Sequence, residues 1–178
     1  QAERKKPEFN RPALVKAEIN CLEQGETDAW WRFIYFLSVT DDGNHIEDKI
    51  DIKKLTGWNS LNIEDETKIA DFAFRYLLVQ KPEIMIDGNS LSSVDSAAFK
   101  AFCYLQAYDP QKYESLPANI WKKWAKLIVC YPIWIDQDNL IIHQQLVKKL
   151  YTKSPQITLN YLGKYINVEN RNARGIDF

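Results

Sequence analysis

Residues 22–80 hold two aromatic-rich amphipathic segments around a connector that carries its own tryptophan. The first segment reads Leu22-Glu-Gln-Gly25-Glu-Thr-Asp-Ala-Trp30-Trp31-Arg-Phe33. The connector contains Leu55-Thr-Gly57-Trp58, and the second segment reads Ile69-Ala-Asp-Phe-Ala-Phe-Arg75-Tyr76-Leu77. Trp30, Phe33, Ile34 and Leu37 fall on one helical face. Ile69, Phe72, Ala73, Tyr76 and Leu77 recur at i, i+3, i+4, i+7 and i+8. Wide apolar stripes with large flat side chains must pack against one another, so this region predicts a helical layer. With 46% hydrophobic and 13% aromatic residues in 178, the chain can bury a core without disulfides or a metal.

The same periodicity continues on both sides. Pro12 suits a first helical turn, the stripe Leu14, Val15, Glu18, Ile19 and Leu22 follows, and Gly25 ends the helix. Thr27 is the expected cap of the next helix, with Asp28 in its first turn. These two helices form an αα-hairpin. Asp41-Asp42-Gly43-Asn44 interrupts the pattern, and Ile46–Ile52 alternates weakly, as a loop or short strand would. Thr56-Gly57-Trp58-Asn59 reads as a turn. Asn62 caps a strong helix with Glu64, Asp65 and Glu66 at its positive end. Ser93 is the expected cap of a helix that is apolar nearly all round and therefore central. Pro110 is expected to stop it. Further helices follow from Pro117, from about Asp138 and from Ser154-Pro155. The expected fold is all-α, an irregular HEAT-like repeat or α-solenoid segment of about seven helices with no clear internal sequence repeat. Residues 1–9 read as a flexible lead-in, 10–167 as one helical domain and 168–178 as a tail. The start at Gln1 and the single Met85 suggest a piece of a longer chain.

No motif announces a chemistry. Cys21, Cys103 and Cys130 are isolated, as free thiols in a reducing compartment are. His45 and His143 lie too far apart in sequence to form a local metal motif. From Asp136, the sixth and twelfth positions of an EF-hand loop would be Ile141 and Val147, and neither fits. No Ser or Cys sits in a nucleophile motif, and six isolated glycines make no phosphate loop. Glu64-Asp65-Glu66 is explained by a helix N-terminus. No catalytic, cofactor-binding or metal-binding residue is therefore assigned, no cofactor is expected, and the chain is not read as an enzyme. No run approaches the roughly 20 apolar residues of a membrane span, and no leader is evident, so a cytoplasmic location without membrane association is expected.

Charge is near balance, but unevenly placed. Residues 40–95 hold twelve acids and six bases, whereas 117–164 hold seven lysines and two acids. Lys122, Lys123, Lys126, Lys148, Lys149 and Lys153, interleaved with Trp121, Trp124 and Tyr151, form the best binding-type cluster. Bases with aromatics suit single-stranded nucleic acid. The lysines of 122–126 nevertheless oppose Trp121, Trp124 and Ile128 on the helix, as on any solvated face. A nucleic-acid-binding module is thus the alternative reading. Neither nucleic acid nor a small molecule is the expected partner.

The stretch 22–78 resembles a segment of large bacterial STAND-class NTPases, including NACHT-type and antiviral Avs-like proteins. The resemblance rests on Leu22, Gly25, Asp28, Ala29, Trp30, Trp31, Arg32, Leu55, Gly57, Trp58, Ile69, Ala70, Ala73, Arg75, Tyr76 and Leu77. It covers about a third of the chain. The connector departs from the family pattern in being rich in Ile and Lys. The resemblance implies a helical-repeat sensor region that recognises a protein partner, such as a phage protein, in antiviral defence. The family's NTPase residues lie outside this chain, so none is carried over.

Overall fold

The computed structural model describes residues 9–83, 91–132 and 137–174. They form eight helices: α1 (Arg11–Glu23), α2 (Ala29–Ser38), α3 (Ile63–Val79), α4 (Ser93–Tyr108), α5 (Pro110–Ser115), α6 (Ala118–Cys130), α7 (Gln137–Lys153) and α8 (Pro155–Arg174). Two 3₁₀ turns, Ile52–Lys54 and Thr56–Ser60, punctuate the connector between α2 and α3. Among the described residues there is no strand; Val39 and Ile46 meet in one antiparallel bridge. The all-α class is as the periodicity implies.

Helix ends follow local chemistry. After α1, Gly25 takes φ +93°, the Gly25 N–H donates to Leu22 O and the Glu26 N–H to Cys21 O. That double bond pattern is a Schellman stop, and it needs the left-handed residue that glycine supplies. Asn62 caps α3 by accepting from the Asp65 N–H. Three details differ from the sequence reading. The cap of α4 is Ser92, which accepts from the Asp95 N–H, so Ser93 is the first helical residue. At α2 the boundary residue is Asp28, with no side-chain cap bond, while Thr27 offers only its carbonyl, to the Trp30 N–H. Pro110 opens a helix as well as closing one, because Asp109 accepts from the Lys112 N–H and caps α5. A proline at N1 lacks only a donor that a helix start leaves unused. Helix α8 also runs to Arg174, past the tail boundary expected at 167.

Packing proceeds in pairs. α1 lies along α2, α3 along α4, and α2 against α4, while α6, α7 and α8 contact one another. α4 touches α6 and α7 and joins the two groups. It buries eleven residues, on all sides, as its unbroken apolar composition requires.

The aromatic residues of 22–80 bind this assembly together. Trp30 is fully buried and donates its indole N–H to Ala97 O of α4 at 3.0 Å. The Tyr76 hydroxyl donates to Val94 O at 3.0 Å. Arg32 pairs with Glu18 of α1, and the Arg75 guanidinium donates to Leu22 O at the end of α1. Gly57 lies so close to α2 that a Cβ there would stand 2.6 Å from Leu37 Cα and 2.8 Å from Leu37 O. The glycine therefore lets the connector backbone touch the helix backbone. Its neighbour Trp58 is 8% exposed and lies against the Tyr104 ring. Buried Arg11 closes the layer by donating to Val39 O and pairing with Asp41.

Candidate functional site

Two features stand out from this packing. The first is a cleft of about 280 Å³ beside α2 and α4, lined by Trp31, Ile34, Tyr35, Leu91, the serines 38, 92, 93 and 96, the connector residues 46–48 and Lys100. Trp31 is the tryptophan of the Trp30-Trp31 pair that the core does not absorb. Its neighbour on the helix points inward, and Trp31 is left half-buried at the cleft wall.

Lys100 is the unusual member. It is 3% exposed, in the middle of the most buried helix. Lysine is almost never buried to this extent without a partner. Its ammonium donates to Lys49 O at 2.6 Å. Burial pushes its pKa below the usual lysine value, and the nearby carboxylates of Asp48 and Glu47 oppose that shift. Glu47 is itself held by the Lys49 ammonium at 2.7 Å and the Thr56 N–H at 2.6 Å. Sequence reasoning passed over Lys100. The signal was there: a single lysine inside Ala97-Ala98-Phe99-Lys100-Ala101-Phe102-Cys103 has no polar face to occupy.

The second feature is the outer side of the α7–α8 hairpin. Six of the twelve large apolar side chains that stand exposed among the described residues are here: Leu140, Ile141, Tyr151, Leu159, Tyr165 and Ile166. Leu159 and Ile166 recur at i and i+7 with Gly163 between them, which gives α8 an apolar outward stripe. The helices are joined through Ser154 alone, with Ser154 N–H donating to Leu150 O and Thr158 N–H to Ser154 O. From 139 to 167 there are four lysines and no acid.

Of the six lysines singled out from the sequence, Lys123 and Lys149 are tied to other helices. Lys123 donates to Leu78 O at 3.0 Å and Gln80 O at 2.8 Å, and so satisfies the terminal carbonyls of α3. Burial lowers its pKa. Lys149 pairs with Glu114 of α5, whose carboxyl pKa is lowered first by that bond and further by the nearby charge of Lys153. Lys126 is half-buried, and Lys122 and Lys148 are exposed. Trp121, Trp124 and Ile128 are buried opposite them, as the helical spacing implied. Trp124 donates to Leu77 O at 3.1 Å.

The remaining candidates have structural partners. His143 Nε2 lies 2.6 Å from Ile128 O, with the ring 6.0 Å from that of Phe99, and burial lowers its pKa. His45 is exposed in the connector. Asp65 of the acidic trio is buried and pairs with Lys16 at 2.9 Å, while Glu64 pairs with Lys68. Asp136 lies outside the described residues. Among the described residues no three His, Cys, Asp or Glu side chains converge as metal ligands, and no helix is long and apolar enough to cross a membrane. Cys103 is buried, and Cys21 and Cys130 are half-buried, all as free thiols.

No family model matches the chain, and no curated protein and no solved structure is similar to it at a significant level.

Proposed function

We propose that the chain is a non-catalytic helical scaffold, an irregular solenoid segment, that recognises a protein partner through the outer side of α7 and α8. The exposed apolar stripe on that hairpin is the observation that carries the reading. A cluster of large exposed apolar side chains rimmed by polar groups marks an interaction surface. The lysines of 139–167, with no acid among them, give the partner its character: an acidic surface that presents apolar side chains. The sensor role implied by the STAND-class resemblance is consistent with such a surface and rests on the motif residues of 22–78. A phage protein is then the natural partner to test.

The experiment is capture from phage-challenged cells by the wild-type chain and by the double variant Leu159→Asp, Ile166→Asp. A photo-crosslinker at Tyr151 would map the contact, with one at exposed Ile63 as control. The expected result is an acidic protein crosslinked at Tyr151 and lost from a double variant that still melts cooperatively. Equal capture by both, or crosslinking at Ile63 alone, overturns the reading. So does binding of oligonucleotides that depends on Lys122 and Lys148 and weakens steeply with salt, which is the signature of phosphate contacts.

A further inference from the structure

We propose that the cleft between α2, α4 and the connector binds a free amino acid with an aromatic or large aliphatic side chain. This inference is independent of the α7–α8 surface, and it replaces the expectation that no small molecule binds.

The cleft separates three kinds of chemistry. Its apolar wall is Trp31, Ile34, Tyr35 and Leu91. Its buried cation is Lys100. An ammonium carries three N–H donors, and the hydrogen bond it makes among the described residues takes one of them, to Lys49 O. A carboxylate in the cleft would give the others an acceptor in a site where a charge-assisted bond is strong. Its anion is Asp48, an exposed rim residue close enough to Lys100 to influence its ionisation. Glu47, the other acid of the lining, is already neutralised by Lys49. A bare anion would meet Asp48, and a bare amine would meet Lys100. A zwitterion satisfies both at once, with the α-carboxylate on Lys100, the α-ammonium on Asp48 and the side chain against Trp31 and Tyr35. The volume of about 280 Å³ falls just below the range for drug-sized ligands, which begins at roughly 300 Å³. That suits an amino acid and is too small for a nucleotide. If Lys100 served only to clamp the connector to α4, the open apolar wall beside it would have no use.

The test is calorimetric titration of the whole chain with L-phenylalanine and L-leucine, alongside phenylalaninamide, which lacks the carboxylate, and 3-phenylpropionate, which lacks the amine. The expected result is binding of the amino acids with Kd below about 1 mM and at least about tenfold weaker binding of either analogue. Lys100→Met, close in shape and uncharged, should weaken phenylalanine about tenfold or more without lowering the melting temperature. Asp48→Asn should weaken phenylalanine and leave 3-phenylpropionate unchanged. Should Lys100→Met fail to fold, Tyr35→Ala, at a side chain 41% exposed, carries the same test through the aromatic wall. Absence of heat with all four probes at about 10 mM overturns the proposal. Binding that is equal in wild type and in the Lys100 or Tyr35 variants also overturns it.

Discussion

The α1–α4 layer and the α7–α8 hairpin are both built of amphipathic helices, yet they divide their aromatic and aliphatic residues differently between core and surface. In the first region α4 buries eleven residues, and Trp30, Phe33, Tyr76 and Phe99 are fully or almost fully enclosed. In the second, Leu146, Leu150, Ser154 and Thr158 are buried, while Leu140, Ile141, Tyr151, Leu159, Tyr165 and Ile166 face outward. The polar links differ in the same way. The first region is tied by indole, phenol and guanidinium donors that reach backbone carbonyls of another helix. The hairpin is held mainly by its contact with α6. The difference teaches that the N-terminal layer encloses most of its large side chains, whereas the hairpin leaves much of its apolar surface open to solvent.

The largest test of that contrast is Trp30→Ala. It removes a buried indole together with its hydrogen bond to Ala97 O, and a loss of about 3–5 kcal/mol is expected. Chemical denaturation followed by circular dichroism measures it. A loss below about 1 kcal/mol would show that the N-terminal layer is not the stabilising one. Next comes Gly57→Ala. The new Cβ would press on the Leu37 backbone, which cannot swing aside as a flexible side chain can. A cost of about 1–3 kcal/mol is expected, the range of overpacking, and a neutral result would mean that the connector is not seated on α2.

A third prediction sharpens the comparison through pH. Burial lowers the His143 pKa from 6.5, so the unfolded chain takes up the proton first as pH falls. The stability tied to neutral His143 is complete above 6.5 and is lost as pH falls through the lower folded value. Hydrogen-exchange protection, referenced to the intrinsic rate at each pH, should therefore fall in α7 and in the C-terminal turn of α6 as the solution is acidified, while α2 and α4 stay protected. His143→Gln should abolish that pH dependence. Uniform loosening of all helices with acid would erase the distinction between the two regions. The smallest expected effect is that of Leu159→Asp with Ile166→Asp. These residues are 52% and 56% exposed, so stability should change by no more than about 0.5 kcal/mol per substitution. A drop of several kcal/mol would show that the face is already covered within the chain.

Much of the helix inventory was legible because apolar spacing and caps are local signals. The stripes at Ile69–Leu77 and Ile120–Ile128 identified their inward faces, and Asn62 and Gly25 marked their boundaries. The burial of Trp30 and Trp124 followed from such stripes, whereas Trp58 sits on a turn and is buried by packing against its neighbours. Helix α5 was missed because Pro110 reads as a stop, and its role as a start depends on whether Asp109 turns its side chain to the Lys112 N–H. The candidate site was less legible. The nucleic-acid alternative needed the lysines of 122–153 to share one surface, which spacing cannot show; Lys123 and Lys149 are tied to α3 and α5. The apolar run around Lys100 marks it as unusual, but its partner, Lys49 O, is supplied by the connector and has no trace in the spacing of α4.

The sequence by itself determined which segments are helical, which side of most of them turns inward and where glycine and asparagine end or begin them. These depend on contacts within a few residues, which spacing records directly. Only the tertiary structure decided that Gly57 must be glycine, that Trp30 is held by Ala97 O while Trp31 lines a cleft, and that Lys100 is buried beside the connector. Those outcomes join residues 20 to 67 positions apart. Such distances are fixed by how the helices cross, and the sequence pattern of any one helix holds no record of its neighbour's approach.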